Sequence, residues 1–259
     1  MILTGDYHTH TIFSHGKGTI KENALAAKEK GLKEIGISDH GFAHPVFGLT
    51  KGCLNDMKRF CAEASEETGV RTLLGIESNF VGTEGETDLK EKLYDYFDVY
   101  LAGVHKFVTY KPRALFSMAI PNFFLSKRKN PKPSERLIKE NTKAYINVIK
   151  NNPVDAITHL NYCCFSDAEE VAKAAADYGT YIELNAKKTH LSDEELYKVA
   201  RTGVRFIIGS DAHTPQRVGE ISLVEKLLAR VEIPEDRIDN INGRTPDFRF
   251  VKFKGRAGS

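Results

Sequence analysis

The chain has 259 residues, 41% of them hydrophobic and 28% charged, with a formal net charge of +2. That length fits one α/β barrel with a sizeable core, and a nearly balanced charge gives no global reason to expect a nucleic-acid or membrane surface. No apolar run approaches the roughly 18 residues of a membrane helix, the opening MILTGDYHTH lacks the basic and apolar segments of a secretory signal, and Cys53, Cys61, Cys163 and Cys164 form no C-x-x-C pair, so the expectation is a cytoplasmic protein with free thiols.

In chain order, short β-branched runs predict strands at 2–7, 34–38, 71–76, 99–104, 155–159, 181–184 and 205–209. Several, such as TLLGI, VYLAGV and RFIIG, are almost continuously apolar, as a strand covered on both faces requires. Between them lie helical patterns. Residues 54–68 put Leu54, Met57, Phe60, Cys61 and Ala64 on one face, and 135–150 do the same with Leu137, Asn141, Ala144, Tyr145 and Val148. Thr19 with Glu22, Ser166 with Glu169 and Ser192 with Glu195 match capping boxes at helix starts. Gly31, Gly69, Gly179 and Gly203 each fall where a helix must stop before the next strand. Seven strands, each followed by a helix or long loop, imply parallel βαβ units closing into a (β/α)7 TIM-like barrel, incomplete relative to the eight-fold form. The whole chain, 1–259, reads as a single domain, with the barrel to about residue 233 and a tail from 234 to 259. In the tail DFRFVKFK alternates like an edge strand or a covering strap, and the closing GRAGS reads as a flexible end.

Polar residues of one chemical kind gather at the strand ends. His8 and His10 follow the first strand, Asp39 and His40 the second, Glu77 the third, His105 the fourth, His159 the fifth, and Asp211 and His213 the seventh; His15 sits on the first loop. In a parallel barrel those ends share one face, where the active site lies. On an extended segment residues two apart point the same way, so His8 and His10 can grip one ion together. A single histidine at a strand end is ordinary; seven of the chain's nine in such places is not. Seven imidazoles and the carboxylates of Glu77 and Asp211 exceed the four ligands of one tetrahedral ion. They suit two or three divalent ions with a bridging carboxylate, and the mixed nitrogen and oxygen donors fit zinc, manganese or iron.

From residue 6 to about 220 the motifs DYHTHTIFSHG, ISDHG, GIE, GVHK, ITHLN and GSDAHTPQRVG resemble, in order and spacing, those of the PHP (polymerase and histidinol phosphatase) family, and within it the stand-alone phosphatase branch. The resemblance implies a distorted seven-stranded barrel holding three metals. It assigns His8, His10, Glu77 and Asp211 to one, His15, His40 and His213 to a second, and Glu77, His105 and His159 to a third, with Glu77 bridging. Residues 107–136, FVTYKPRALFSMAIPNFFLSKRKNPKPSER, match no particular substrate pocket.

Clustered metals suit phosphate-ester hydrolysis: they make water nucleophilic and neutralise the phosphoryl oxygens. Asp211 and His213 are the candidates to assist the leaving group. Residues 106–150 carry eleven Lys or Arg against two Glu. They follow strand four, so Lys106, Lys111 and Arg113 are expected to steer an anionic substrate, with Arg217 a further phosphate contact. His44 reads as a loop residue, His190 as a surface one, Ser210 as structural, and ALFSMAIPNFFL as a lid or subunit contact. The leading reading is a metal-dependent phosphatase of small phosphorylated metabolites, with histidinol phosphate, nucleotide phosphates and cyclic phosphodiesters as candidates. A nucleic-acid phosphodiesterase or exonuclease is the second reading, resting on the basic segment alone. An amidohydrolase is disfavoured because strand four supplies His105 where that type commonly has a bridging lysine. A non-enzymatic metal-binding scaffold is disfavoured by the intact ligand set. The sequence does not specify the oligomeric state.

Overall fold

The computed structural model of the chain describes residues 1–257. Its centre is seven parallel strands in sequence order: β1 (Gly5–Thr9), β2 (Glu34–Ile37), β3 (Arg71–Asn79), β4 (Val99–Gly103), β5 (Ala156–Ile157), β6 (Tyr181–Asn185) and β7 (Phe206–Gly209). The two outer strands meet at Thr9 and Ala212, where the His10 amide donates to the Ala212 carbonyl at 2.8 Å, so the sheet is nearly closed. All seven expected strands are present, with shifted ends. Residues 2–4 are not part of β1, because Leu3 bridges Ile241 and the neighbouring amides pair with the segment around Asn240 and Asn242. β3 runs on past residue 76 and carries Glu77 inside the strand, whereas β5 is cut to two residues.

Alternation along the strands separates two buried layers. Tyr7, Leu73, Val99, Leu101, Ala156, Tyr181 and Ile207 point into the barrel and form its floor with Phe248. Their neighbours Ile35, Leu74, Tyr100, Ile182 and Ile208 point outward beneath the helices. A break in register between Asp6 and Thr9 lets β1 depart from strict alternation, so that Tyr7 joins the floor while His8 also faces inward. One layer above the floor two glycines make room. A Cβ on Gly209 would lie 2.1 Å from Glu183 Oε1, and one on Gly103 would lie 2.3 Å from Thr158 Oγ1.

The helices are α1 (Ile20–Glu29), α2 (Leu54–Thr68), α3 (Pro112–Ala114), α4 (Ile120–Ser126), α5 (Glu135–Asn151), α6 (Ala168–Tyr178), α7 (Asp193–Arg201), α8 (Ser222–Leu228) and α9 (Arg249–Ala257). The capping boxes at Thr19 and Ser192 form, and Gly31, Gly69, Gly179 and Gly203 all have positive φ. The expected box at Ser166 does not form. Asp167, one residue on, caps α6 by accepting from the amides of Glu169 and Glu170, and the Ser166 hydroxyl donates to Asn161 Oδ1 at 2.7 Å. The tail is a helix rather than an edge strand. Phe250 and Phe253 of α9, three residues apart, both face Tyr94, with ring centroids 5.0 and 6.0 Å away. It does cover the barrel: Phe248 sits 4.9 Å from Tyr7, closing the bottom. Of the GRAGS end, residues 255–257 belong to α9, and 258–259 lie outside the described residues. All four cysteines are free. Among the described residues no helix is long and apolar enough to cross a membrane.

Candidate metal centre

The C-terminal ends of the strands bring all nine expected histidine and acidic side chains to one rim. His8 and His10 project the same way from the end of β1, with their Nε2 atoms 3.2 Å apart. Glu77, fully buried at the end of β3, is the hub. Its Oε1 lies 2.8 Å from His159 Nε2 and 3.2 Å from His8 Nε2, and its Oε2 lies 3.0 Å from His40 Nδ1, 3.2 Å from His105 Nε2 and 3.7 Å from His10 Nε2. Asp211 Oδ1 lies 3.4 Å from His10 Nε2 and 3.9 Å from His8 Nε2. His15 folds back from the first loop to stack on His40 at 4.7 Å between ring centroids and to meet His213 at 4.1 Å. His159 and Asp211 have φ of 31° and 49°, a left-handed turn that costs free energy at non-glycine residues and that here aims both side chains into the cluster.

The donor groups form one continuous nest. His8, His10 and Asp211; His10, His40 and His213; and His40, Glu77 and His105 each offer atoms within 4.8 Å of one another. The Nδ1 atoms of His10, His15, His40, His105 and His159 and Oε2 of Glu77 are buried with no hydrogen-bond partner among the described residues. His40 Nδ1 and Glu77 Oε2 are near each other but not aligned to bond. Buried polar atoms are nearly always partnered; the unpartnered pair His40 Nδ1 and Glu77 Oε2, set among the clustered Nε2 atoms of His8, His10, His105 and His159, fits divalent cations.

Electrostatics at the rim divides the imidazoles. Burial would raise the Glu77 carboxyl, but His105, His8 and His159 outweigh it and hold it well below the ordinary value. Burial likewise opposes charge on Asp211 and is outweighed by His8, His10 and Lys187. Burial disfavours charge on His8, yet Glu183, Glu77 and Asp211 together hold it well above the ordinary histidine value. Burial and the neighbouring His40 drive His10 well below that value. Burial, with His40 and His159, brings His105 to about 4 despite Glu77, and burial with His213 and His40 brings His15 to about 3. Neutral imidazole is the form that binds metal.

The family model described as PHP domain matches residues 6–187. The chain belongs to the PHP family. It is 34% identical over 254 residues to a protein named probable phosphatase from Caldanaerobacter subterraneus subsp. tengcongensis, covering 92% of this chain and 87% of that one. It is 34% identical over 250 residues to another of that name from Thermoanaerobacter sp., covering 93% and 91%. Among solved structures it is similar to the histidinol phosphate phosphatase of Lactococcus lactis, crystallised with zinc, L-histidinol and phosphate, at 18% identity and a TM-score of 0.62 over 95% of this chain and 100% of that one. That likeness is one of fold. The PHP match ends before Asp211 and His213, which join the rim because β7 lies beside β1.

The substrate residues expected from the PHP sequence are spread more widely. Lys106 stays at the rim, its Nζ 5.6 Å from the centre of the Tyr162 ring, and it lines a cavity with His105. Arg113 instead pairs with Glu84 at 3.3 Å, Lys111 with Glu86 at 2.7 Å and Lys143 with Glu84 at 3.6 Å, so the acidic turn between β3 and β4 neutralises part of the basic segment. Arg217 is exposed on the turn Pro215–Arg217. Glu183 and Lys187 escaped the sequence reading, and Asp39, named there only as a strand-end acid, and His190 take roles it did not give them. Glu183 accepts from His8 Nδ1 at 2.6 Å and from the His159 amide at 2.8 Å. Lys187 Nζ lies 3.2 Å from Asp211 Oδ1 and 3.1 Å from His213 Nδ1. Asp39 ties the first loop down by accepting from the Thr11 amide and hydroxyl at 2.7 and 2.6 Å. His190, read as a surface residue, is partly buried against Tyr162 at 4.9 Å and His159 at 6.3 Å. His44 holds its own loop through the amides of Val46 and Phe47, and the Ser210 amide donates to Asp6, in keeping with a structural role.

Proposed function

We propose that this PHP protein is a metal-dependent phosphatase that hydrolyses phosphate monoesters of small metabolites and holds two or three divalent ions of zinc, manganese or iron. The observation that carries the reading is the Glu77 hub. A fully buried carboxylate lies within 3.7 Å of ring nitrogens of five imidazoles. Curated relatives at 34% identity that are named probable phosphatase support the same activity. His8, His10, Glu77 and Asp211 would hold one ion, His15, His40 and His213 a second, and Glu77, His105 and His159 a third.

When bound, such ions supply a water of lowered pKa and neutralise phosphoryl oxygens. The chain does the rest. Glu183 fixes the ring of His8 and the backbone of His159. Lys187, half exposed and therefore free to turn, is placed to pair with an incoming phosphoryl oxygen or to give the leaving oxygen its proton. Asp211 holds Lys187 in place, and His213, kept mostly neutral by burial, is a second candidate for proton transfer. Lys106 stands at the rim as a substrate contact. A cytoplasmic setting accords with four free thiols. Phosphate release from p-nitrophenyl phosphate tests the activity. Chelation should abolish it, and zinc, manganese or ferrous ion should restore it. Turnover untouched by a chelator, or none with any of these metals, would overturn the assignment.

A further inference from the structure

Beside the metal nest lies a cavity of about 210 Å³ with His105 in its wall. Its roof is the helical segment 112–126, the ALFSMAIPNFFL stretch. That segment is not a regular helix: α3 and α4 are joined by one π-helical turn, Leu115–Ala119. Such turns widen the backbone and concentrate at functional sites. Here Leu115, Met118 and Ala119 of that turn line the cavity, with Phe123 of α4 and Val108.

Two polar side chains of the wall are bonded elsewhere, whereas His105 Nδ1 is buried with no hydrogen-bond partner among the described residues. The Tyr110 hydroxyl donates to the His105 carbonyl at 2.7 Å. Asn122 is occupied by Asn141, the Met118 carbonyl and the Phe165 amide. Among the described residues lining it there is no carboxylate, and Lys106 is the one lysine or arginine.

We propose that this cavity receives the leaving group of the substrate, and that this group is an apolar, ring-bearing or branched body without an ammonium. The proposal rests on the phosphatase reading and narrows its substrate class. His105 belongs to both places: its Nε2 lies 3.2 Å from Glu77 and from His159 in the nest, and its ring stands in the cavity wall, so an ester with its phosphoryl group over the nest would reach the cavity past this ring. A cavity of about 150 Å³ lined by aliphatic and aromatic residues holds a benzene ring, so this one has room for a ring and its substituents. An amine-bearing ester such as histidinol phosphate would bring a cation beside Lys106 with no acid to meet it. A polyol ester would bury several hydroxyls in a wall whose side chains are mostly apolar and whose Tyr110 and Asn122 are already bonded, at roughly tenfold in affinity for each hydroxyl left unpaired.

Two measurements test it separately from the phosphatase reading. The first compares kcat/KM of the metal-loaded enzyme for 1-naphthyl phosphate, glycerol phosphate and histidinol phosphate. The naphthyl ester should lead by roughly tenfold or more, and Ala119→Phe, which fills the cavity, should erase most of that ratio. The second needs no catalysis. The chain has no tryptophan, so the emission of 1-naphthol excited beyond the tyrosine band reports the ligand alone. Its titration into the protein should give a saturable shift, weakened in Ala119→Phe whose circular dichroism is unchanged. A leading rate for glycerol or histidinol phosphate, or no naphthol binding, overturns the cavity proposal while leaving the phosphatase standing. Naphthol binding without hydrolysis of any ester sinks the phosphatase reading instead.

Discussion

Glu183 Oε1 and His8 Nδ1 are 2.6 Å apart, fully buried, and 175 residues apart in the chain. A carboxylate can only accept, so His8 donates from Nδ1 and its Nε2 faces Glu77 and Asp211. Glu183 thereby selects which ring nitrogen is offered to a metal, and its other oxygen holds the His159 backbone. In Glu183→Gln the single amide oxygen can serve only one of these two donors. Metal affinity should fall by about 10- to 100-fold, read by competition against a chelating dye, with helical content unchanged. Wild-type affinity in this variant would show that His8 needs no such partner.

Gly209 sits in the layer beneath that pair. Its Cβ, were there one, would stand 2.1 Å from Glu183 Oε1 and 3.0 Å from His8 Cβ, and neither neighbour has room to move. Gly209→Ala should therefore cost about 1–3 kcal/mol of stability and also weaken metal binding, because relief comes by displacing the carboxylate. Gly52, with nothing within 4 Å of its would-be Cβ, provides the control: Gly52→Ala should leave both thermal midpoint and metal affinity close to wild type.

The same glycines help explain why so much of the rim was legible. Gly75, Gly103 and Gly209 each stand two residues before Glu77, His105 and Asp211. An inward position two residues earlier is the layer directly below on the same face. The strand-end histidines and the H-x-H pair needed only the parallel barrel to be brought together. Glu183 was hidden because YIELN reads as an ordinary buried strand, and its role exists only once β6 and β1 face each other across a closed barrel. Lys187 is hidden for the same reason. The pairing of Arg113 and Lys111 with Glu84 and Glu86 depends on a turn far away in sequence. At the tail, DFRFVKFK satisfies a period of two and an i, i+3 spacing alike. The burial of Phe250 beside Tyr94 and Tyr100 decides for the helix. At α6, serine and aspartate stand side by side, and the Asn161 side chain engages Ser166, leaving Asp167 as the cap.

Asp155 lies at the other end of the barrel from the histidine rim, and its carboxyl gives a pH signature of the fold itself. Its oxygens accept from the amides of Tyr100 at 2.9 Å and Phe250 at 2.8 Å, tying β4 to the start of α9. Burial pushes this carboxyl up to about 7, against the pull of those amides and of Arg249. Between about pH 4 and pH 7 the folded chain thus keeps a proton that the unfolded chain, near the ordinary aspartate value, has lost. The native state binds more protons across that window, so this residue's contribution to stability declines as pH rises through it, by at most about 1.4 kcal/mol per pH unit. Asp155→Asn is neutral at every pH and lacks this slope. It also turns an amide NH2 toward one backbone N–H, a constant cost of about 1–3 kcal/mol. Urea unfolding of metal-free protein at pH 4.5 and pH 7 should therefore show wild type exceeding the variant by more at the lower pH than at the higher. Groups that titrate in both proteins, the rim histidines included, cancel in that difference. An equal gap at the two pH values would mean that Asp155 is ionised throughout, its charge held by backbone amides strongly enough to overcome burial.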